Sequence, residues 1–403
     1  MTSFLITYWY IISGDKMKKY IFIFLIIILL IIGLYNNKDN KTASDNNFKE
    51  VRAIFISYIE LNKYIKNKDV EVSKENINKM INNIKELGFN TAIVQIRSFS
   101  DAIYKSEIFP WSSTVSSSEG TFPGYDVLAY FIEVCKLKNI LIIGWINPYR
   151  VRSSESSISN LNPAYKYIGT DYLFEDEGIY YNPSKQEVED LIVTGVEEVI
   201  SNYKLDGILF DDYFYPNKDM DYLDYLSYLE QNDYITFDEY HLMIINKMIK
   251  RVHEICKRNN VLFGISPDGN IDNNYNKVFA DVKTWLSSDE YVDFIMPQVY
   301  YGFFNESKRF KSVIDEWNNL IKNDIDLYIA LAFYKVGVID NYARGGSNEW
   351  INNNDIIMRE IILSRNLKYY KGFSLFRYDY LFNTELYTNT TMLEIENMKK
   401  ILK

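Results

Sequence analysis

The stretch DGILFDDYFYP (residues 206–216) carries the pattern that decides the fold, a short apolar run that ends in two carboxylates and an aromatic loop. Similar runs rich in Val, Ile and Phe recur along the chain. Together they predict strands at 51–57, 90–96, 140–146, 206–211, 261–266, 292–298, 326–332 and 372–377. Longer amphipathic patterns lie between them, among them 74–87, 184–203, 236–260 and 352–367. Apolar strands that alternate with helices indicate a parallel sheet covered on both faces.

Eight strand–helix units in about 350 residues predict a (β/α)₈ barrel, the TIM barrel fold. A doubly wound open sheet is the alternative, and it normally carries a glycine-rich phosphate turn after its first strand. Here the first predicted strand runs into SYIELNKY (57–64), which contains no glycine. The barrel is therefore the favoured architecture.

Composition excludes several classes of protein. Hydrophobic residues make up 47% of the 403 residues and charged residues 24%, so the chain can build a core and is not a disordered protein. A net charge of −10 argues against a nucleic-acid partner. The two histidines, His241 and His253, lie twelve positions apart, so we expect no metal site and no cofactor. Cys135 and Cys256 are expected to be free, buried thiols.

The N-terminus carries a targeting pattern. Lys18 and Lys19 precede an apolar run, YIFIFLIIILLIIGLY (20–35), with no small-residue cleavage site behind it. This predicts an uncleaved transmembrane signal anchor, with the membrane as a partner and the barrel outside the cell. Cleavage would instead give a secreted protein, and Met17 is an alternative start. The expected domains are a cytoplasmic stub with the anchor (1–36), a polar linker (37–50) and the barrel (51–403).

Active sites of (β/α)₈ barrels lie at the C-terminal ends of the strands. Polar and aromatic residues at those ends are therefore the candidates, whereas Asp206, Asp293 and Asp326 begin strands and are expected to be structural. Carboxylates, amides, arginines and aromatics in such a set suit hydrolysis of a sugar polymer. The catalytic candidates are Asp211, Asp212 and Asp268, and the substrate-binding candidates are Gln95, Arg97, Asp101, Trp145, Asn147, Tyr149, Arg150, Gln298 and Tyr300.

Asp211 and Asp212 are the strongest catalytic candidates. Two adjacent carboxylates cannot both ionise easily in a buried pocket, which raises the pKa of one toward the range of a general acid. The structural alternative is a pair that caps the loop or holds an arginine. Asp268, Asp101 or, more weakly, Glu60 could supply a second carboxylate. In a substrate-assisted route an N-acetyl group replaces it, with Gln298 and Tyr300 orienting the acetamide.

Five blocks resemble the glycosyl hydrolase-like family 10. They are QIRSFSDAIYKSEIFPWS (95–112), GWINPYR (144–150), YNPSKQEV (181–188), DGILFDDYFYP (206–216) and DFIMPQVYY (293–301). The resemblance implies a glycosidase-like barrel on bacterial surface or secreted proteins, with several members linked to cell-wall glycan. SPDGN (266–270) departs from the family pattern after the fifth strand. Compared with family 18 chitinases, Asp211 matches one Asp of the catalytic run, and Tyr213 replaces the catalytic Glu.

Taken together, the residues and the resemblance predict an extracytoplasmic glycoside hydrolase acting on an N-acetylated, peptidoglycan-type glycan. The alternatives are an inactive polysaccharide-binding barrel and an exopolysaccharide-processing hydrolase. Arg97 and Arg150 could clamp a substrate carboxylate or orient an internal Asp. Trp111 and Trp145 could stack on sugar rings or pack beneath their loops, and Trp285 is expected in the core.

Overall fold

A computed structural model describes residues 50–154, 158–175 and 177–402. The predicted signal anchor and most of the linker lie outside these residues. Within the described ranges, no helix is long and apolar enough to cross a membrane.

Eight parallel strands close into a barrel, which confirms the predicted fold. Neighbouring strands follow the chain order around the barrel, and the last strand pairs with the first. Val51 lies opposite Gly372 at that closure, and Ile54 opposite Leu375. The barrel strands are β1 (Val51–Ile56), β2 (Thr91–Arg97), β3 (Leu141–Ile146), β7 (Gly207–Phe210), β8 (Leu262–Ile265), β9 (Phe294–Ile295), β10 (Asp326–Leu331) and β11 (Tyr370–Leu375).

Helices surround the barrel, and the four predicted helical patterns have counterparts in α2 (Val70–Glu86), α4 (Gln186–Asn202), α6 (Phe237–Arg258) and α11 (Ile356–Ser364). Thr236 and Glu239 form a reciprocal capping box at the start of α6, which places its first turn where the sequence predicts it. The helices are α1 (Tyr58–Tyr64), α2 (Val70–Glu86), α3 (Val127–Lys138), α4 (Gln186–Asn202), α5 (Tyr222–Leu229), α6 (Phe237–Arg258), α7 (Ile271–Lys277), α8 (Val282–Trp285), α9 (Phe310–Leu320), α10 (Glu349–Asn352), α11 (Ile356–Ser364), α12 (Tyr378–Phe382) and α13 (Asn389–Lys399).

A small antiparallel sheet in the connection between β3 and α4 is a feature that the sequence did not predict. It is built from β4 (Arg150–Arg152), β5 (Leu173–Glu175) and β6 (Ile179–Tyr181), in the order β4-β6-β5. Arg150 pairs with Tyr180 across it. Its strands are only three residues long and lack a clear alternation of apolar and polar residues, which is why the pattern gave no signal.

The core has two parts. A large cluster fills the space between strands and helices, and a smaller one fills the barrel interior with side chains such as Phe55, Trp145 and Met296. Trp285 is fully buried in the larger cluster, as predicted. Cys135 and Cys256 are free and buried, also as predicted.

Two of the three aspartates that begin strands, Asp206 and Asp293, have the structural role expected of them. Asp206 accepts a hydrogen bond from the Ile142 amide at 2.8 Å, and Asp293 accepts one from the Phe263 amide at 2.8 Å. Each carboxylate therefore ties its own strand to the start of a neighbouring one, at the end of the barrel opposite to the catalytic candidates.

Candidate active site

A cavity of about 300 Å³ opens at the C-terminal ends of the barrel strands. Side chains from the ends of most of the strands converge on it. It combines carboxylates, amides, one guanidinium and several aromatic rings, which is the kind of lining that suits a sugar. The lining residues are Phe55, Ser57, Tyr58, Ile59, Gln95, Trp145, Asn147, Arg150, Asp211, Asp212, Tyr213, Ser266, Gln298, Tyr300, Tyr334 and Phe376.

Asp211 follows β7 directly and is held on the side of the pocket formed by β3. Its Oδ2 atom accepts hydrogen bonds from the Trp145 indole N–H, at 3.1 Å, and from the Asn147 amide. The Tyr213 backbone N–H approaches Oδ1 at 3.4 Å. With 3% of its surface exposed, Asp211 is fixed in place by N–H donors that favour its ionised form.

A chain of amides fixes the orientation of Asn147. The Tyr58 backbone N–H can only donate, and it donates to Gln95 Oε1 at 2.8 Å. Gln95 Nε2 must then face Asn147, where it donates to Oδ1 at 2.6 Å. The Nδ2 group of Asn147 is thereby directed at Asp211. The ends of β1, β2, β3 and β7 are thus linked through a single polarised chain.

Asp212 leans toward the opposite side of the pocket. Its Oδ1 atom accepts a hydrogen bond from Gln298 Nε2 at 3.1 Å, and the same amide group donates to the Ser266 carbonyl at 2.9 Å. No other described side chain donates to Asp212. One of its oxygens is therefore available to a ligand, whereas Asp211 is anchored more extensively.

The electrostatics of the pair follow from its burial. Desolvation, and then the charge of Asp212, raise the pKa of Asp211. Desolvation also raises the pKa of Asp212, and the charge of Asp268 adds to that effect. Such a coupled pair titrates in two steps and holds one proton between them. Because N–H donors converge on Asp211, the geometry favours the shared proton on Asp212.

Aromatic rings form the floor and one wall of the cavity. Trp145 packs edge-on against Phe55, with ring centroids 5.4 Å apart. Tyr300 contacts Tyr334 in a T-shaped arrangement at 5.8 Å and lies near Phe376. Burial holds the pKa of the Tyr300 phenol well above its usual range, so it stays a neutral hydrogen-bond donor near the two carboxylates.

Eight of the sequence-predicted residues meet at this cavity: Gln95, Trp145, Asn147, Arg150, Asp211, Asp212, Gln298 and Tyr300. Four do not, namely Arg97, Asp101, Tyr149 and Asp268, because their side chains pack under or behind the loops.

Arg97 and Tyr149 point away from the barrel mouth. The Arg97 guanidinium lies over the Phe109 ring at 4.4 Å and presses against Gly195 of α4, where a Cβ atom would come within 2.4 Å of Nη1. The Tyr149 side chain is buried in the outer core, with 1% of its surface exposed. These residues support the loops that carry the pocket.

Asp101 and Asp268 are also engaged elsewhere. Asp101 is buried near the Arg152–Glu119 ion pair, and burial raises its pKa to about 7. Asp268 accepts hydrogen bonds from the Asn270 amide at 2.7 Å and from Asn273 at 3.0 Å, so it organises the loop that leads into α7. It influences the pocket through its charge on Asp212 rather than as part of the lining.

Two further candidates from the sequence lie outside the cavity lining. Glu60 is fully buried, completes the Ser57 capping box of α1 and accepts a hydrogen bond from Arg377. Trp111 packs against Phe122 at 5.3 Å, in the loop that follows β2. Both are parts of the framework around the pocket.

Sequence reasoning missed several lining residues. Phe55, Ser57, Tyr58 and Ile59 come from the end of β1 and the start of α1, and Tyr334 and Phe376 follow β10 and β11. Their position at the ends of strands is the sequence feature that could have identified them.

Among the residues that the structure describes, no group of three or more His, Cys, Asp or Glu side chains could hold a metal ion.

Comparison with known proteins identifies the family. Residues 50–344 match the family model described as Glycosyl hydrolase-like 10. The chain is 29% identical to glycosyl hydrolase YngK of Bacillus subtilis over 373 residues, covering 86% of this chain and 71% of that protein. It is 28% identical to glycosyl hydrolase DigH of Escherichia coli K12 over 340 residues, covering 75% and 74%.

Solved structures share the fold at low sequence identity. The glycoside hydrolase domain of PgaB (BpsB) from Bordetella bronchiseptica superposes with a TM-score of 0.55 at 11% identity, over 87% of this chain and 99% of that one. An endo-1,4-β-mannanase from Rhizomucor miehei gives 0.53 at 12% identity, over 88% and 94%. The resemblance noted in the sequence is confirmed, and the chain belongs to the glycosyl hydrolase-like 10 family of (β/α)₈ glycoside hydrolases.

Proposed function

We propose that this protein hydrolyses the O-glycosidic bonds of an N-acetylated cell-surface glycan, with Asp211 and Asp212 as the reacting carboxylates. The observation that carries the proposal is the position of this pair, at the end of β7 and inside the cavity, where burial raises both pKa values. A general acid for glycoside cleavage must hold its proton near neutral pH. Asp212, which keeps an oxygen free for a ligand, is assigned that role.

A substrate-assisted route fits the lining best. Direct hydrolysis uses two carboxylates on either side of the sugar. The described residues that line the cavity include only the adjacent pair, and both members follow the same strand. An acetamido group on the sugar would supply the missing nucleophile. In this route Asp211 positions the acetamide and Asp212 moves the proton.

The reaction consists of two displacements at the anomeric carbon. The acetamide carbonyl oxygen attacks the anomeric carbon while the glycosidic C–O bond breaks, and the leaving oxygen takes the proton of Asp212. Ionised Asp211 accepts the acetamide N–H and stabilises the positive charge that develops on that group. Water then attacks the anomeric carbon and gives a proton to Asp212, while the bond from that carbon to the acetamide oxygen breaks and the acetamide re-forms. The product keeps the anomeric configuration of the substrate.

The acetamido group is the direct test. We expect turnover of N-acetylglucosamine oligosaccharides, a fall of at least roughly 10²-fold for the de-N-acetylated oligosaccharides, and an intermediate rate for N-trifluoroacetyl ones, because their carbonyl oxygen is a weaker nucleophile. Products are separated by mass spectrometry. Equal turnover of all three substrates would rule out the substrate-assisted route, and no turnover of any would argue for a binding protein.

We also infer that the barrel works outside the cytoplasm, anchored by the apolar segment 20–35 behind Lys18 and Lys19. Protease added to intact cells should then digest the barrel. Protection in intact cells that is lost on lysis would contradict the assignment.

A further inference from the structure

Arg150 supplies the one cation among the described residues that line the cavity. It stands at the first position of β4, where its pairing with Tyr180 in the small antiparallel sheet β4-β6-β5 fixes its backbone. Its guanidinium carbon lies over two aromatic rings, 5.0 Å from the centroid of Phe99 and 5.4 Å from that of Tyr213. Stacking of this kind holds a guanidinium in place while its N–H bonds stay free in its own plane.

Among the described residues, no group accepts a hydrogen bond from the Arg150 side chain. Its Nε–H is buried without a hydrogen-bond acceptor. No carboxylate of the described ranges comes within ion-pair distance of it, whereas Arg152, two residues on, is paired with Glu119. A buried cationic donor without an acceptor is unfavourable, which points to an acceptor that arrives with the ligand.

From this geometry we propose that Arg150 binds the carboxylate of an acidic sugar and selects glycans that carry one, an inference that rests on the proposed hydrolysis at the same site. A guanidinium presents two parallel N–H bonds that match the two oxygens of a carboxylate. Because these N–H bonds, the guanidinium fork, are already held in place by the stacking, the side chain loses little conformational freedom when it binds. A lactyl ether and a uronic acid both offer this group, next to an N-acetylated sugar.

The alternative role for Arg150 is purely electrostatic. Its charge lowers the pKa of Asp211, opposing the effect of burial. A residue that acts only in this way would affect acidic and neutral ligands alike, whereas a carboxylate receptor discriminates between them. The ratio of the two affinities therefore separates the roles.

The test measures binding to the full-length protein by ligand-observed NMR titration, which also reports whether the ligand is cleaved. The probes are the disaccharide of N-acetylglucosamine and N-acetylmuramic acid, the same disaccharide with its lactyl carboxylate converted to the primary amide, and the hyaluronan disaccharide with its uronate free or amidated. We expect at least one free acid to bind about tenfold or more tightly than its amide, which is about 1.4 kcal/mol. The pair that shows the preference identifies the source of the carboxylate.

Arg150→Gln should abolish this preference by weakening binding of the acid at least about tenfold while binding of the amide changes less than about twofold. Arg150→Lys, which keeps the charge without the fork, should retain only part of the preference. Lys368→Gln is the matched control, because it removes one positive charge from the exposed segment before β11, at the other end of the barrel. Melting curves verify folding. Where Arg150→Gln does not fold, Arg150→Lys decides.

Three results would overturn the inference. They are a wild-type protein that binds acids and amides equally, a preference that persists in folded Arg150→Gln or stays at its wild-type size in Arg150→Lys, and an equal loss of both ligands on substitution. Because binding is measured, the inference can stand where no hydrolysis is seen, and hydrolysis can stand where Arg150 shows no preference. The two proposals therefore fail separately.

Discussion

Trp145→Phe is the substitution that isolates one hydrogen bond of the site. It removes the indole N–H that donates to Asp211 Oδ2 at 3.1 Å, and it keeps an aromatic ring against Phe55. A hydrogen bond to a charged group contributes about 1.5–3 kcal/mol. Since Asn147 donates to the same oxygen and remains in the variant, we expect a loss at the lower end of this range.

The expected consequence is a change in pH dependence. The lost bond stabilises ionised Asp211, so its removal raises the pKa of Asp211. At about 1.4 kcal/mol per pH unit, the acid limb of the kcat/KM profile should move upward by about one pH unit. The alkaline limb, which reports loss of the Asp212 proton, should move far less. The pH range of high activity therefore narrows from its acid side.

The assay follows kcat/KM between pH 4 and 9 on an N-acetylglucosamine oligosaccharide. Carboxyl-carbon NMR titration gives the same pKa values without turnover. Trp111→Phe is the matched control, because Trp111 lies outside the cavity lining, and its profile should equal that of the wild type. An unmoved acid limb in Trp145→Phe, with a normal fold, would refute the assignment of Asp211 as the ionised member of the pair.

Further predictions concern the stability of the fold, the role of Asp268 and the need for a metal ion. Burial raises the pKa of Glu394 from 4.5 to about 7, so the folded state holds this proton more tightly than the unfolded chain does. The neutral carboxyl therefore contributes its full stability below pH 4.5, and that contribution is lost as the pH rises to about 7. In urea titrations, Glu394→Gln should therefore be more stable than wild type at pH 8, by on the order of 1–3 kcal/mol, and about as stable as wild type at pH 4. The control is Glu396→Gln at an exposed position, and an equal gain in stability at both pH values would contradict the reasoning. Asp268→Asn should have a turnover within a few-fold of wild type. Because the charge of Asp268 raises the pKa of Asp212, its removal should move the alkaline limb of the pH profile to lower pH; a loss of turnover of about 10²-fold would instead indicate that Asp268 is catalytic. EDTA should leave turnover unchanged, and reversible loss would reveal a cation bound to carboxylates.

The barrel could be predicted because its signal is repeated. Buried parallel strands must be apolar along their whole length, and each such run is followed by a helix. The pair Asp211–Asp212 could be predicted for the same reason, since a polar residue directly after a barrel strand lies at the mouth. Short strands such as β9 (Phe294–Ile295) were predicted too long, because buried apolar residues continue beyond the paired residues.

The direction of individual side chains could not be predicted. Gln95 and Arg97 are two apart and would share a face in a regular strand. The register between β2 and β3 shifts between them, so Gln95 faces the cavity while Arg97 packs against α4. Such a bulge depends on the neighbouring strand, and the local sequence does not encode it.

The side-chain directions of loop residues could not be predicted for a related reason. Asp268 lies three residues beyond β8, where hydrogen bonds with Asn270 and Asn273 decide its direction. Tyr334 follows β10 in a short helical turn, and the turn directs its ring into the pocket. Both outcomes depend on the conformation of a loop, which periodicity does not report.

Asp212 is the residue assigned to protonate the leaving group, and Asp212→Asn removes the proton that this role requires. The measurement compares kcat/KM, which covers substrate binding and glycosidic cleavage but not the later attack by water, for an N-acetylglucosamine oligosaccharide and for the dinitrophenyl glycoside of the same sugar. Asparagine cannot give the proton, so the oligosaccharide value should fall at least roughly 10²-fold. The dinitrophenyl leaving group needs no proton, so its value should fall less than about tenfold. Exposed Asp289→Asn should change neither value. Equal losses on both substrates, or no loss on either, would contradict the assignment of Asp212 as the acid.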